Sequence, residues 1–164
     1  MNKDLTEALS KVPETWKSNS RIYGEACEYW LSDNVTCPEC KLGKMTKLTA
    51  NVPVVDHACT NCGATFQVKA KNGKILKRDG SASIIGAEYK TTLTSLQAEK
   101  GDWSMILISY CRKTNLVKKV SYIPSSNIKE GNIVPRKPLG PNARRAGWQG
   151  CNIVFSRSDI HSML

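Results

Sequence analysis

Residues Pro53 to Lys69 read PVVDHACTNCGATFQVK, placing an acid, half of a metal-binding motif, a turn and a polar strand end within seventeen positions. The apolar run Val52 to Val55 followed by Asp56 predicts a strand that ends in a carboxylate, and Ala64 to Ala70 alternates as a strand pairing back on it would. CTNCG, with Asn61 and Gly63, supplies the turn between them. Successive strand side chains point to opposite faces, so Gln67 and Lys69 should share one face and Phe66 and Val68 the other. An acid, an amide and an amine can then converge.

Asp56, ten residues, then Gln67-Val68-Lys69 resembles the signature of the PD-(D/E)XK nuclease superfamily: an acid at one strand end, then an acid, one residue and a lysine on the next strand. A hard divalent cation such as Mg²⁺ takes oxygen ligands, and phosphodiester hydrolysis needs a polarised phosphoryl oxygen and an activated water. The resemblance implies that Asp56 and Gln67 ligate Mg²⁺ and that Lys69 orients or deprotonates the attacking water and stabilises charge on the phosphate. Gln67 stands where the superfamily usually has Glu. It keeps a carbonyl oxygen but removes one negative charge, which predicts weaker metal binding. Taken alone the triplet is weak evidence, because a polar-x-Lys after an Asp recurs in many hairpins.

The cysteines carry a sharper signal. CPEC supplies Cys37 and Cys40, and CTNC, eighteen residues later, supplies Cys59 and Cys62. Two C-x-x-C knuckles at this separation match a Cys₄ ribbon around one structural zinc ion, each two-residue spacer letting both thiolates reach one tetrahedral centre. The second knuckle lies inside the turn that carries Asp56 and Gln67, so zinc occupancy should be coupled to the geometry of that hairpin. Cys27, Cys111 and Cys151 have no partner motif and read as small buried hydrophobes.

The chain has 164 residues, enough for one domain of 1–164 with the ribbon at 37–62 as an insert, and 40% hydrophobic content supports a packed core. Its formal charge of +10 favours a polyanionic partner such as nucleic acid, against the plain alternative of a soluble protein with scattered lysines. The start, MNKDLTEALS, has no apolar segment of a secretory signal, and Met105 to Ile108 is far too short to span a bilayer. These features predict a cytoplasmic protein with no membrane partner, and seven cysteines there favour metal or buried thiols over disulfides.

Elsewhere, Leu5 to Val12 and Ser18 to Leu31 have helical spacing, the second burying Ile22, Ala26, Tyr29 and Trp30 and carrying Glu25 and Glu28. Superfamily nucleases often complete the metal site with a glutamate from an early helix, which makes Glu28 the candidate with Glu25 as its rival; the plain alternative is two solvated carboxylates. KAKNGKILKRDG puts Lys71, Lys74, Lys77 and Arg78 around two turn signals, either beside a phosphate or as a solvated basic loop. A helix is predicted from Gly86 to Lys100 with Gly101 as its C-cap, then a doubly buried strand from Trp103 to Tyr110 and a partner strand from Leu116 to Ile123. Pro124 to Gly150 reads as a long loop in which Arg136, Lys137, Arg144 and Arg145 lie beside Trp148, the composition of a DNA-contacting segment. Trp148 either stacks on bases or anchors the loop on the core. Cys151 to Phe155 is the last short strand.

The order of these features is more specific than any one of them. Trp30 seven residues before CPEC, PVVD and CTNC, FQVKAKNG, the segment from Gly86 and the block RKPLGPNARRAGWQGCNI resemble the catalytic domain of the DpnI-like, Dam-replacing restriction endonucleases. The resemblance covers about residues 16 to 155. It implies a mixed sheet flanked by helices in an α/β (α+β) fold with an inserted zinc ribbon, and cleavage of double-stranded DNA at adenine-methylated GATC in a bacterial or phage setting. In that family a winged-helix domain also reads the site, whereas this sequence ends at Leu164; the resemblance leaves two expectations, a catalytic fragment or a short form whose specificity is reduced or supplied by a separate specificity domain or partner protein. Two other readings stay open: a zinc-stabilised methyl-DNA-binding module that Gln67 leaves with little activity, and a repair nuclease without methyl specificity.

Overall fold

The computed structural model describes residues 2–16, 18–49, 54–98 and 102–164. A mixed sheet of six strands runs through its centre. In spatial order these are β1 (Met45–Lys47), β2 (His57–Cys59), β3 (Thr65–Asn72), β5 (Trp103–Cys111), β6 (Leu116–Ile123) and β9 (His161–Ser162). β3 and β5 run parallel and every other neighbouring pair is antiparallel. A second sheet of three antiparallel strands has the order β4 (Ala82–Glu88), β8 (Gly150–Phe155) and β7 (Ile133–Pro135).

β5 shows why the large sheet is central. Trp103 through Tyr110 are all buried, so its consecutive apolar residues fill two cores rather than one. Ile106, Ile108 and Tyr110 join Phe66 and Val68 beneath α1 (Thr6–Ser10) and α2 (Asn19–Asn34). Trp103, Met105 and Leu107 join Ile84, Ile133, Ile153 and Phe155 beneath the small sheet and α3 (Tyr89–Gln97). The sheet is therefore flanked by helices on one face, whereas a second sheet and α3 share the other. The buried side of α2 is formed by Ala26, Cys27, Trp30 and Leu31, one step round from the predicted stripe, and Ile22 and Tyr29 lie at its margin.

The helix predicted from Gly86 starts three residues later. Gly86 belongs to β4, where a Cβ would stand 2.6 Å from Cys151 Sγ, so its smallness serves strand packing rather than helix entry. The long segment after Pro124 is also more regular than expected, with β7 pairing onto β8 before the chain leaves again at Arg136. Cys27 and Cys151 are fully buried as predicted, and Cys111 is partly exposed at the end of β5. Predicted features at Val52, Pro53, Lys100 and Gly101 lie outside the described residues.

Candidate functional site

β2 and β3 form a hairpin, with His57 opposite Phe66 and Ala58 opposite Thr65, but its first strand follows Asp56 instead of ending there: of the predicted run, Val54 lies in a turn and Val55 outside any strand. β2 begins at His57, one residue after Asp56. Asp56 nevertheless stays attached to β3. Its backbone N–H donates to Phe66 O at 2.9 Å, and its Oδ2 accepts the N–H of Val68 at 2.8 Å. The carboxylate thus takes over the ladder position that a strand partner would have filled, alongside the Gln67–Val68 peptide. Two residues earlier Val54 has φ of 69°, a strained conformation for a β-branched residue.

Gln67 and Lys69 lie on one face of β3. Their register partners Met105 and Leu107 belong to the core under the small sheet, while Phe66 and Val68 face α2. Gln67 is 2% exposed, and its Oε1 has no hydrogen-bond partner among the described residues. A buried carbonyl oxygen left unpaired costs about 1–3 kcal/mol, and a hard cation is a partner that would remove that cost. Lys69, one pleat further, is half-buried and forms no ion pair among the described residues. Asp56, Gln67 and Lys69 therefore sit within a three-residue length of strand.

Glu28 approaches Asp56 from α2, on the face of Phe66 and Val68 and opposite that of Gln67 and Lys69. Burial pushes its pKa up; the Lys47 ammonium opposes that, and the negative charge of Asp56 and then Glu25 adds to it. Lys47 Nζ stands 3.1 Å from Glu28 Oε2 and also contacts the Glu25 carboxylate, and it lies 4.6 Å from the centre of the Tyr29 ring. Neither glutamate is a freely solvated surface acid: their side chains are 15% and 21% exposed for Glu25 and Glu28. Lys47 gave no signal in the sequence, because it meets the acids across a strand-to-helix contact. His57 was missed for the same reason. It is fully buried, its burial lowers its pKa, and its Nε2 lies 3.1 Å from Glu28 O, so the neutral ring can donate there and tie β2 to α2.

Below the hairpin the four sulfurs of Cys37, Cys40, Cys59 and Cys62 lie within 4.8 Å of one another. Cys37 and Cys62 are 3.8 Å apart and Cys40 and Cys59 3.7 Å, close to the roughly 3.8 Å edge of a tetrahedron with Zn–S bonds of about 2.3 Å. The donor set fits a metal such as zinc. Each knuckle ends in a left-handed residue, Lys41 at φ 62° and Gly63 at φ 72°. The N–H groups of Gly43 and Asn61 point at Cys40 and Cys59 Sγ, each at 3.4 Å. Backbone donors, first Leu42 and then Gly43, pull the Cys40 thiol pKa down to about 6, and the N–H of Cys62, then that of Asn61, lower the Cys59 pKa against its burial. Gly43 is needed for close approach, since a Cβ there would stand 2.4 Å from Cys59 Sγ. Glu39, between the first two cysteines, accepts hydrogen bonds from Ser104 Oγ at 2.9 Å and from the Tyr122 hydroxyl, docking the ribbon on β5 and β6.

The predicted DNA-contacting residues divide into two places. Lys71 is exposed on β3, in line with Gln67 and Lys69. Arg136, Lys137, Arg144 and Arg145 are exposed on the segment between β7 and β8. That segment is closed on itself by Leu139 N–H to Trp148 O at 2.9 Å and Gly147 N–H to Leu139 O at 3.0 Å. Trp148 is half-buried over Gly150, where a Cβ would meet its ring at 2.8 Å, and the Arg145 guanidinium lies 4.8 Å from the ring centre. Tyr89 N–H donates to Gln149 O at 2.9 Å, tying the base of the segment to the start of α3.

Among the described residues no helix is long and apolar enough to cross a membrane. A family model described as DpnI, Dam-replacing family, matches residues 5–161, nearly the whole chain.

Proposed function

Since the chain belongs to the Dam-replacing family, which implies a restriction-endonuclease-like function on DNA, we propose that it is a metal-dependent endonuclease hydrolysing phosphodiester bonds at adenine-methylated GATC. The observation that carries this reading is the buried, unpartnered Oε1 of Gln67 on the strand whose next N–H, that of Val68, binds the Asp56 carboxylate. Asp56 and Gln67 would hold Mg²⁺, with Glu28 at the edge of the same site, in a PD-(D/E)XK arrangement. A bound Mg²⁺ would polarise a phosphoryl oxygen and lower the pKa of water.

The protein's own groups divide the remaining work. Asp56 is fixed by the N–H of Val68, the residue between Gln67 and Lys69. Lys69 holds the attacking water and stabilises charge as the P–O bond to the leaving oxygen breaks. Cys37, Cys40, Cys59 and Cys62 would hold zinc, which would anchor the hairpin that carries Asp56 and Gln67. Arg136, Lys137, Arg144 and Arg145 contact phosphates, and Trp148 meets the duplex beside them. Methyl recognition requires an apolar surface in the major groove that contacts the adenine methyl group.

A cleavage panel tests the proposal: methylated GATC duplex, unmethylated duplex and branched DNA, each with Mg²⁺ and with Ca²⁺, beside Lys69→Ala. The expected result is cutting of methylated duplex with Mg²⁺, and binding without cutting by Lys69→Ala. Equal cutting by Lys69→Ala would remove the site assignment. Gln67, with one charge fewer than a glutamate, favours one further reading, a methyl-DNA-binding module; it predicts methyl-dependent binding with DNA left intact in Mg²⁺. Cutting of branched DNA irrespective of methylation would instead mark a repair nuclease.

A further inference from the structure

A basin of about 730 Å³ opens at the far end of β3, between residues 72–80, the ends of β5 and β6, and Arg157. Six cations line it: Lys74, Lys77, Arg78, Lys118, Lys119 and Arg157. None of the six pairs with a carboxylate among the described residues. The one acid in its wall, Asp79, is turned to its own loop, where its Oδ1 accepts the N–H and the hydroxyl of Ser81 at 2.9 and 2.7 Å. Like charges gathered in a concave surface repel one another and focus a positive potential on its interior. An anion relieves that repulsion.

The backbone is shaped to gather these charges. β5 and β6 slip register between Ser109, opposite Lys119, and Tyr110, opposite Val117, so Lys118 is the extra residue of a β-bulge. A regular strand would send Lys118 and Lys119 to opposite faces. Here both line one basin, the kind of side-chain redirection for which bulges serve. Gly80 has φ of 83°, and a Cβ on it would lie 2.9 Å from Arg157 Cγ, so glycine lets the arginine stem cross the turn. The loop itself is fixed by Ile75 N–H to Ser109 Oγ at 3.2 Å and Gly73 N–H to Tyr110 O at 2.7 Å.

The basin also has a defined position relative to Lys69. Lys71, Ser109 and Lys119 form one row across β3, β5 and β6, two residues beyond the row of Lys69 and Leu107. Two residues of strand cover about 7 Å, close to two base-pair steps of about 3.4 Å. We infer that this basin is a second phosphate-binding subsite, which holds the backbone of the DNA arm flanking the bond to be cut. The inference rests on the nuclease reading for the identity of the polyanion, and adds to it where the flanking duplex lies.

The test is equilibrium binding of the full chain in Ca²⁺, with methylated GATC duplexes carrying flanks of about two or about ten base pairs. The parent should bind the long duplex more tightly. In Lys118→Ala/Lys119→Ala/Arg157→Ala that gain should disappear, affinity for the long duplex should fall about tenfold or more, and the slope of log K against log salt should shrink by about two to three, near 0.9 per lost phosphate contact. Lys119→Gln alone, which leaves the packing of Arg157 intact, should lower the slope by about one. Unchanged affinity and slope in folded variants would overturn the inference. So would saturation of the basin by inorganic phosphate or a mononucleotide with no dependence on flank length, which would mark a small-ligand pocket. If flank dependence is found and DNA is never cut in Mg²⁺, the basin stands and the nuclease assignment falls; cutting with no flank dependence gives the converse.

Discussion

The Asp56 carboxylate and the backbone N–H of Val68 stand 2.8 Å apart, and this bond links the acid to the strand that carries Gln67 and Lys69. A charged acceptor on a backbone donor is stronger than a neutral hydrogen bond. It fixes Asp56 without using its second oxygen. Asp56→Asn can keep the bond through its amide oxygen and lose only the charge. The thermal midpoint should then stay near that of the parent while Mg²⁺-dependent cleavage falls about a hundredfold or more, on the scale seen when one preorganised electrostatic group is removed. Parallel melting curves and single-turnover cleavage decide the matter, and full activity in Asp56→Asn would exclude it as a metal ligand.

Gln67 offers a test in both directions. Gln67→Glu places a carboxylate in a position that is 2% exposed, one residue from the N–H that holds Asp56. Burial and the neighbouring charge should raise its folded pKa above the ordinary glutamate value of about 4.3. A raised carboxyl pKa destabilises the fold increasingly as pH rises above the unfolded value. Without divalent metal the variant should therefore melt lower at pH 7 than at pH 5, relative to the parent, and Mg²⁺ should raise its midpoint more than it raises the parent's. Gln67→Leu should do the reverse: a higher midpoint without metal and no Mg²⁺ shift. Identical Mg²⁺ responses in all three proteins would detach Gln67 from the ion.

Lys47 neutralises two acids that are mostly buried. Lys47→Met removes the cation that, among the described residues, contacts Glu25 and Glu28, whose side chains are 15% and 21% exposed, and leaves Glu28 facing the charge of Asp56. Breaking such a buried pair from one side costs about 3 kcal/mol. The Glu28 pKa is already raised, chiefly by burial, and losing the ammonium raises it further. The deficit should be fully developed at neutral pH and shrink as pH falls toward 4.5, where the unfolded carboxyl also takes up its proton. Denaturant titrations at pH 7 and pH 4.5 read this directly, and a pH-independent deficit would mean that packing of the lysine stem, not its charge, was lost.

How much of this was legible in the sequence depended on whether the signal was local. The two knuckles, the alternation of Gln67 and Lys69 against Phe66 and Val68, and the doubly buried run of β5 are properties of spacing, and the structure reproduces them. β4 was hidden because Gly86 and Ala87 interrupt the strand signal of Ile84 and Ile85; the ladder to β8 is itself irregular between Ile85 and Glu88, and the smallness of Gly86 admits Cys151 there. The Glu25–Lys47–Glu28 cluster and the bulge at Lys118 depend on contacts between segments about twenty or more residues apart or on a slip between strands, which no single-strand pattern encodes.

The metal-binding ribbon should behave as part of the hairpin rather than as an appendage. β2 ends at Cys59 and β3 starts at Thr65, so the second knuckle is the connection between the strand next to Asp56 and the strand of Gln67. Gly43→Ala would drive a methyl group to 2.4 Å from Cys59 Sγ. We expect about one zinc per parent chain by elemental analysis, less in Gly43→Ala, and a lowered midpoint in that variant that added zinc partly restores. Chelation should lower the parent's midpoint to a similar value. A parent that folds at full stability without metal would show that the four sulfurs are not a structural centre.

Trp148 distinguishes a base-contacting side chain from an anchor. Its ring covers Gly150 and lies under Arg145, yet it remains half-exposed at the edge of a segment held by its own backbone hydrogen bonds. Those hydrogen bonds do not involve the indole, so Trp148→Ala should leave the segment closed and cost about 1 kcal/mol of stability, well short of the 3–5 kcal/mol of a core tryptophan. Loss of a stacking or wedging contact should weaken DNA binding about tenfold, with little change in salt slope because no phosphate contact is removed. Arg145→Ala should instead lower the slope by about one. A stability loss near 4 kcal/mol with unchanged affinity in the surviving folded fraction would assign the tryptophan to the protein's own packing.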